Sequence, residues 1–326
     1  MVQKPSIQVI EDIEAVPVEE QNIVFKPNAG PQTDFLAAGE REVLYGGSAG
    51  GGKSYAMLAD PLRYMGHPSF SGLLLRHTTE ELRELIYKSK EIYPQIWKGI
   101  KWSERKMQWE APSGARLWMS YLDRDDDVLR YQGLAFSWIG FDELTQWSTP
   151  YAWNYMRSRL RSVAQDLPVY MRATTNPGGP GHQWVKKMFI DPAPYGKQFN
   201  ATDIESGNVL SYPKGHTKSG QPLFKRRFIP ARLSDNPYLS AQGDYETMLL
   251  SLPEHQRKQL LDGDWDIKEG AAFSEFDRNI HVIEPFSIPR NWVKFRACDY
   301  GYGSYSGVLW FAVSPDEQII IYRELY

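Results

Sequence analysis

The 326-residue sequence has a single cysteine, Cys298, so it forms no internal disulfide and gives no sign of an oxidising compartment. No apolar run reaches the roughly 18 residues of a membrane-spanning helix, and the N-terminus lacks the charged-then-apolar pattern of a signal peptide. Neither sign of charge dominates, because the net charge is only −3. These absences predict a soluble, intracellular protein without a membrane partner. Any binding of nucleic acid must then rest on local basic patches.

The length allows one large domain and part of another, or two domains of ordinary size, and the 42% of apolar residues is enough for a substantial core. Residues 1–30 differ from the rest, since they combine prolines with a cluster of acids and predict a flexible acidic arm. The acids are Glu11, Asp12, Glu14, Glu19 and Glu20. From about residue 32, strand-like and helix-like segments alternate. This alternation predicts an α/β fold with a mostly parallel central sheet flanked by helices.

One glycine-rich stretch fits the phosphate-binding pattern G-x-x-x-x-G-K-[S/T]. It reads Gly47-Ser-Ala-Gly-Gly-Gly-Lys-Ser54, between a strand-like run at 42–45 and a helix-like run at 55–59. In such a loop the backbone N–H groups surround the phosphates, so the sequence predicts binding of a nucleoside triphosphate. Lys53 is expected to reach the β- and γ-phosphates, and Ser54 to ligate Mg²⁺. The predicted nucleotide-binding residues of the loop are Gly47, Ser48, Ala49, Gly50, Gly51, Gly52, Lys53 and Ser54.

A pair of carboxylates follows a second apolar run, at residues 136–141. Asp142 is placed to hold the Mg²⁺ shell, and Glu143 to activate the attacking water. Hydrolysis needs this second carboxylate, whereas a kinase for a small hydroxyl substrate generally does not. The sequence therefore favours an ATP hydrolase.

A third polar group, Ala173-Thr174-Thr175-Asn176-Pro177, follows the strand-like run at 168–173. Thr174, Thr175 and Asn176 are predicted to sense the γ-phosphate and to couple its loss to movement. The alternative is a plain Asn-Pro-Gly turn.

These motifs, in this order, resemble the large terminase subunit of tailed bacteriophages, and the resemblance runs over roughly residues 31–326. Further segments share it: Pro31-Gln32, Leu73-Leu-Leu-Arg76-His-Thr, Tyr131-Gln-Gly133, Arg157-Ser-Arg-Leu-Arg161, His182-Gln-Trp184 and Gly263-Asp-Trp-Asp266. The resemblance implies a P-loop ATPase domain at 31–268, with a linker subdomain at about 195–268. It also implies that Gln32 recognises adenine.

The same resemblance implies a function and a set of partners. The chain is expected to hydrolyse ATP with Mg²⁺ and to move double-stranded viral DNA into procapsids in the host cytoplasm. A homo-oligomeric ring on a portal, with a small terminase subunit, is implied by the family.

The C-terminal residues 269–326 look like the start of a ribonuclease H-like nuclease domain, an α/β domain that is incomplete here. A strand-like run ends at Asp299, and two more follow at 307–313 and 318–322. Asp299 would be the first ligand of two divalent metals, Mg²⁺ or Mn²⁺. Glu324 is the only nearby acid, and an ordinary strand-end charge is the better interpretation of it. Nuclease activity is thus expected only from a longer chain.

A hydrolytic motor of this kind needs an arginine against the developing charge. Arg130, supplied to a neighbouring subunit, is the first choice, and Arg76 and Arg159 are alternatives. Basic clusters at 157–161, 186–187 and 225–227 are candidates for contact with the DNA backbone, although a solvated helix face or a subunit interface explains them equally well. His182 and His216 lack a second metal ligand at a suitable spacing and are interpreted as structural or surface residues.

Three other functions compete with a packaging motor. A helicase-like or recombinase-like translocase would share the P-loop core, but it predicts further helicase motifs after residue 200, and none is found. A small-molecule kinase would need an acceptor site and a lid. A non-catalytic nucleotide-binding scaffold is disfavoured by intact Lys53, Asp142 and Glu143.

Overall fold

The computed structural model describes residues 24–241, 243–266, 281–300 and 306–325. The chain divides into two compact units, residues 1–269 and 270–326. Most of the predicted acidic arm, residues 1–23, lies outside the described residues. Among the residues that are described, no helix has the length and apolar character needed to cross a membrane.

The described part of the first unit is built on one sheet. Its strands are β1 (Glu42–Gly47), β2 (Ser71–Arg76), β3 (Lys101–Ser103), β4 (Gln108–Glu110), β5 (Arg116–Tyr121), β6 (Trp138–Phe141), β7 (Tyr170–Thr175), β8 (Gln198–Asn200) and β9 (Lys225–Ala231). Their order in the sheet is β3-β4-β5-β2-β6-β7-β1-β9-β8. The six strands from β5 to β9 in that order are parallel, and β3, β4 and β8 are antiparallel at the two edges. The predicted mostly parallel sheet is confirmed.

Short helices connect the strands. They are α1 (Pro31–Ala37), α2 (Lys53–Ala59), α3 (Thr79–Ile96), α4 (Tyr151–Arg157), α5 (His182–Val185), α6 (Pro237–Ser240), α7 (Asp244–Leu250) and α8 (Glu254–Arg257). Helices α5 and α8 each continue as a π-helical turn, at Lys186–Ile190 and Lys258–Asp262. Pro61 limits α2, and the chain continues in a 3₁₀ turn at Asp60–Tyr64.

Sequence signals explain where two helices begin. The Thr78 side chain accepts from Glu81 N and the Glu81 side chain accepts from Thr78 N, so a capping box starts α3. Helix α4 directly follows a proline. Pro150 has φ −76° and ψ 3°, which is outside the helical region, and it caps the helix that starts at Tyr151.

The core lies on both faces of the sheet because side chains alternate along each strand. In β2, Leu73 and Leu75 pack on one face with Phe141 and Trp153, while Leu74 packs on the other with Trp138. All six residues of β1 are buried. The strand that leads into the glycine-rich loop is therefore held at the centre of the domain.

The described part of the second unit is an antiparallel meander of β10 (Val293–Asp299), β11 (Gly307–Val313) and β12 (Ile319–Leu325). Asp299 is the last residue of β10 and lies opposite Gly307. The three strands occur where the sequence predicts them. The ribonuclease H-like assignment stays a prediction.

Candidate active site

The three polar motifs of the sequence meet because of the strand order. Strand β7 lies between β1 and β6 and is parallel to both. The carboxyl ends of parallel strands meet at one edge of a sheet, so the loop after β1, the acids after β6 and the turn after β7 become neighbours. Two hydrogen bonds confirm the contact: Lys53 Nζ donates to Asn176 Oδ1 at 2.7 Å, and Thr174 Oγ1 donates to Asp142 Oδ1.

Side chains from three elements orient the backbone of the glycine-rich loop. Asn236 Nδ2 donates to Gly50 O at 2.7 Å, Tyr45 Oη to Gly51 O at 2.7 Å, and Gln32 Nε2 to Gly52 O at 2.9 Å. In a planar trans peptide the next N–H points away from the carbonyl. Fixing these carbonyls therefore directs three successive N–H groups to the opposite side, as binding of a phosphate requires.

The loop also needs glycine for steric reasons. Gly52 has φ +76°, and a Cβ there would come within 2.7 Å of Gln32 Nε2. The loop thus forms a concave backbone surface, and side chains in place of its glycines would occupy that space. Ser54 follows in the first turn of α2, and together with Asp142 it offers the hard oxygen ligands that Mg²⁺ prefers. These residues fit a nucleotide with Mg²⁺.

Lys53 is the buried cation of the site. Its Nζ donates to Ser48 O at 2.6 Å as well as to Asn176. Burial lowers the pKa of Lys53, while Glu143 and Asp142 oppose that shift. The ammonium is therefore a poorly solvated positive charge, and phosphate oxygens would replace its present carbonyl and amide partners.

Asp142 is buried and fully engaged. Its Oδ2 accepts from Arg76 Nε and Nη2, each at 2.8 Å, and its Oδ1 accepts from Thr174. Both guanidinium nitrogens bond to the same oxygen, and the Thr174 bond to the other oxygen completes the fixing of the carboxylate. Arg76, at the end of β2, is thus part of the site.

Glu143 has an unusual backbone for its residue type, with φ +60° in the left-handed region. Such strain in a non-glycine residue is found mostly at functional sites. The Asn176 N–H lowers the pKa of the Glu143 carboxyl. Burial, followed by the neighbouring Asp142, raises the pKa of Glu143, and Lys53 and Arg76 oppose the shift. A carboxylate with a raised pKa is a stronger proton acceptor, which suits a general base.

The family model described as the T4-type N-terminal part of the terminase large subunit matches residues 44–280. The chain belongs to the terminase large-subunit family. Large terminases are the ATPase motors of phage DNA packaging, and the site described above is that of an ATPase. The resemblance seen in the sequence is confirmed.

Two solved structures of one large terminase share this fold. The large terminase of a thermophilic bacteriophage in complex with ADP is 18% identical, with a TM-score of 0.54 over 91% of this chain and 68% of its own. The complex of the same enzyme with ATP-γ-S is 16% identical, with a TM-score of 0.52 over 91% and 68%. The ATPase domain of the Thermus phage P74-26 large terminase is 13% identical, with a TM-score of 0.46 over 74% and 94%. No curated protein matches the chain.

Gln32 of this terminase is engaged with the loop. Besides donating to Gly52 O, its amide accepts from Asn28 N at 2.6 Å. Both polar atoms of the side chain therefore have protein partners. Recognition of adenine by Gln32 stays a prediction.

The three candidate arginines occupy different surroundings. Arg76 lies in the terminase site itself. Arg130 is 44% exposed, forms an ion pair with Asp127 at 3.0 Å and stacks over Tyr121. Arg159 donates to Ser158 Oγ at 3.0 Å and lies over Tyr155. Neither Arg130 nor Arg159 has a recorded bond to the described residues of the site.

Many residues of the predicted basic clusters form ion pairs or hydrogen bonds within this terminase chain. Arg157 and Arg226 both pair with Glu42, Arg227 donates to Gly196 O, and Lys186 pairs with Asp191 and Asp266. Within the described part of the chain, Lys187 and Lys225 are the exposed lysines of these clusters that carry no ion pair.

The nuclease prediction has less support. Asp299 is exposed at the end of β10. Among the residues that the structure describes, no group of three or more His, Cys, Asp or Glu side chains could hold a metal ion. The role of Asp299 as a metal ligand stays a prediction.

Several site residues of the terminase have no local signal in the sequence. Asn236 and Tyr45 orient the loop, and Thr145 shares a 2.7 Å hydrogen bond with Thr175. His182, for which the sequence predicts a structural or surface position, is buried beside the turn after β7. The resemblance alone draws attention to its segment.

Proposed function

We propose that this terminase chain hydrolyses ATP at the site between β1, β7 and β6, and uses the cycle to move double-stranded DNA. Gly47 to Ser54 hold the phosphates, and Lys53 neutralises the β/γ oxygens. Glu143 accepts a proton from the attacking water. Ser54 and Asp142 would hold Mg²⁺, which would supply Lewis-acid stabilisation of the phosphate charge.

The observation that carries this proposal is the chain of contacts through Asn176. Its Oδ1 accepts from Lys53, its N–H lowers the pKa of Glu143, and it directly follows Thr174 and Thr175. One residue therefore contacts both the phosphate-binding cation and the proposed general base. Loss of the γ-phosphate would change the partners of Lys53, and the turn at residues 176–179 would respond. This arrangement supports the coupling role of Thr174, Thr175 and Asn176.

We place the DNA contact on the exposed lysines of the basic clusters, Lys187 and Lys225. Phosphate contacts of this kind carry no sequence information, which suits a packaging motor. A ring of several copies on a portal, working with a small terminase subunit in the host cytoplasm, completes the proposal on the strength of the family.

Linear duplex DNA is expected to raise the steady-state rate of ATP hydrolysis by this chain. Because the contacts are electrostatic, the stimulation should fall steeply between about 50 and 200 mM salt. The measurement is phosphate release with and without duplex DNA across that range. A hydrolysis rate that is the same with and without duplex DNA at every salt concentration would contradict a DNA motor. It would show a nucleotide hydrolase that does not respond to DNA.

Mixing two inactive variants tests Arg130 as a finger supplied to a neighbour. Arg130→Ala should cost about 10³–10⁵ in kcat, as for other arginine fingers. An equimolar mixture with Glu143→Gln should recover about a quarter of wild-type activity, since half the sites keep Glu143 and half of those face an intact arginine. If Arg130→Ala alone retains full activity while Arg76→Ala loses it, the finger acts from Arg76 within the same chain.

A further inference from the structure

Two segments of the sequence have no part in the mechanism above, yet they meet in the structure. The His182 ring stacks on the Trp265 ring with centroids 5.2 Å apart. His182 Nδ1 accepts from Gly178 N–H at 2.8 Å, and Nε2 lies 3.1 Å from Trp265 O. Since Nδ1 is the acceptor, Nε2 carries the proton and donates to the carbonyl. His182 thus joins the turn at residues 176–179, here the coupling turn, to Trp265.

Trp265 is the last residue of a segment that also contacts the glycine-rich loop. Residues 258–265, here the clamp segment, include the π-helical turn Lys258–Asp262. Leu260 O accepts from Ala49 N at 2.6 Å. Gly263 has φ +65°, and a Cβ there would come within 2.6 Å of Ser48 N. The two backbones are therefore in direct contact, and π-turns of this kind occur frequently at functional sites.

The clamp segment holds the coupling turn as well. Gln259 Nε2 donates to Pro177 O at 2.7 Å, next to the Gly178–His182 bond. Pro177 and Gly178 are buried, so neither group can exchange its partner for bulk water. Adjacent residues of one π-turn, Gln259 and Leu260, thus contact the coupling turn and the phosphate-binding loop.

We propose that Gln259 and His182 are positioning residues for ATP hydrolysis. They fix Pro177 and Gly178 and thereby hold Asn176, whose Oδ1 accepts from Lys53 Nζ at 2.7 Å and whose N–H favours the charged form of Glu143. This inference rests on the proposed hydrolysis at Glu143. It assigns to the clamp segment the alignment of the general base and not the binding of nucleotide, because Gln259 bonds to Pro177, and His182 to Gly178 and Trp265.

Gln259→Leu removes the donor to Pro177 O at nearly constant size. We expect kcat for ATP hydrolysis to fall about ten-fold, as for the loss of one buried hydrogen bond, with KM for ATP within about two-fold of wild type. Gln256→Leu is the matched control, because Gln256 lies three residues earlier in α8 and has no recorded side-chain hydrogen bond. The control should keep wild-type kcat.

Gln259→Glu is the second variant, and it guards against a folding defect of the leucine variant. The shape is kept, but the carboxylate cannot donate to Pro177 O, so the same fall in kcat is expected. Wild-type kcat in Gln259→Glu would overturn the inference, as would a loss confined to KM.

Hydrogen exchange of the Gly178 amide tests the positioning independently of ATPase activity. In the full chain without nucleotide, exchange should be faster in Gln259→Leu and Gln259→Glu than in wild type and Gln256→Leu. Unchanged exchange would overturn the positioning role. If the two Gln259 variants exchange faster than wild type but the wild-type chain hydrolyses no ATP, the proposed function is refuted instead.

Discussion

Glu143→Gln is expected to lower kcat for ATP hydrolysis by about 10²–10⁴-fold, while the Kd for ATP stays within about three-fold of the wild-type value. The amide keeps the size of the side chain and can still contact the Asn176 N–H, but it cannot accept the proton of the attacking water. Lys53 and the loop backbone, which bind the phosphates, are not changed. Single-turnover hydrolysis and equilibrium binding of a fluorescent ATP analogue measure the two quantities.

The control for this variant is another glutamate-to-glutamine change on the surface. Glu84 pairs with Lys88 four residues along α3 at 2.6 Å and is largely exposed, so Glu84→Gln should leave kcat and Kd unaltered. Wild-type turnover by Glu143→Gln would exclude Glu143 as the base. Loss of ATP binding together with turnover would show that the variant disrupts the phosphate loop instead.

The chemistry of the site could be predicted from the sequence because each motif is local. The loop at 47–54, the pair Asp142-Glu143 and the triplet at 174–176 each follow a short apolar run. Their meeting could not be deduced from any one motif, since it depends on β7 lying between β1 and β6. Only the resemblance to a known family implied that arrangement.

Contacts between residues that are far apart in the sequence were the hardest to predict. Asn236 lies 186 residues from Gly50, whose carbonyl it binds, and no sequence period connects the two. The basic clusters at 157–161 and 225–227 show the opposite problem. They indicate exposed charge in the sequence, yet Arg157 and Arg226 converge on Glu42, a partner more than a hundred residues away in both cases.

Glu42 is therefore the subject of the second large prediction, Glu42→Gln, which concerns stability. The side chain is fully buried at the start of β1, and Arg226 Nε donates to it at 2.7 Å from an equally buried position. Removing one partner of a buried pair leaves an uncompensated charge and typically costs about 3–5 kcal/mol. We expect a loss of this size in the free energy of unfolding, measured by denaturant titration at pH 7. Glu254→Gln, which breaks an exposed pair with Lys258, should cost less than about 1 kcal/mol.

The pH dependence of this destabilisation distinguishes the loss of the ionic interaction from the loss of packing. Burial would raise the pKa of Glu42, but Arg226 and Arg157 outweigh it and hold the pKa below its ordinary value of 4.5. A depressed pKa in the folded state stabilises the protein above the unfolded-state pKa, and the contribution disappears as the pH falls through the folded pKa. The difference in unfolding free energy between wild type and Glu42→Gln should thus be constant above about pH 5 and shrink below about pH 4.5. A difference that stays constant at acidic pH would mean that the glutamine variant destabilises through packing, and that the two arginines do not depend on the charge of Glu42.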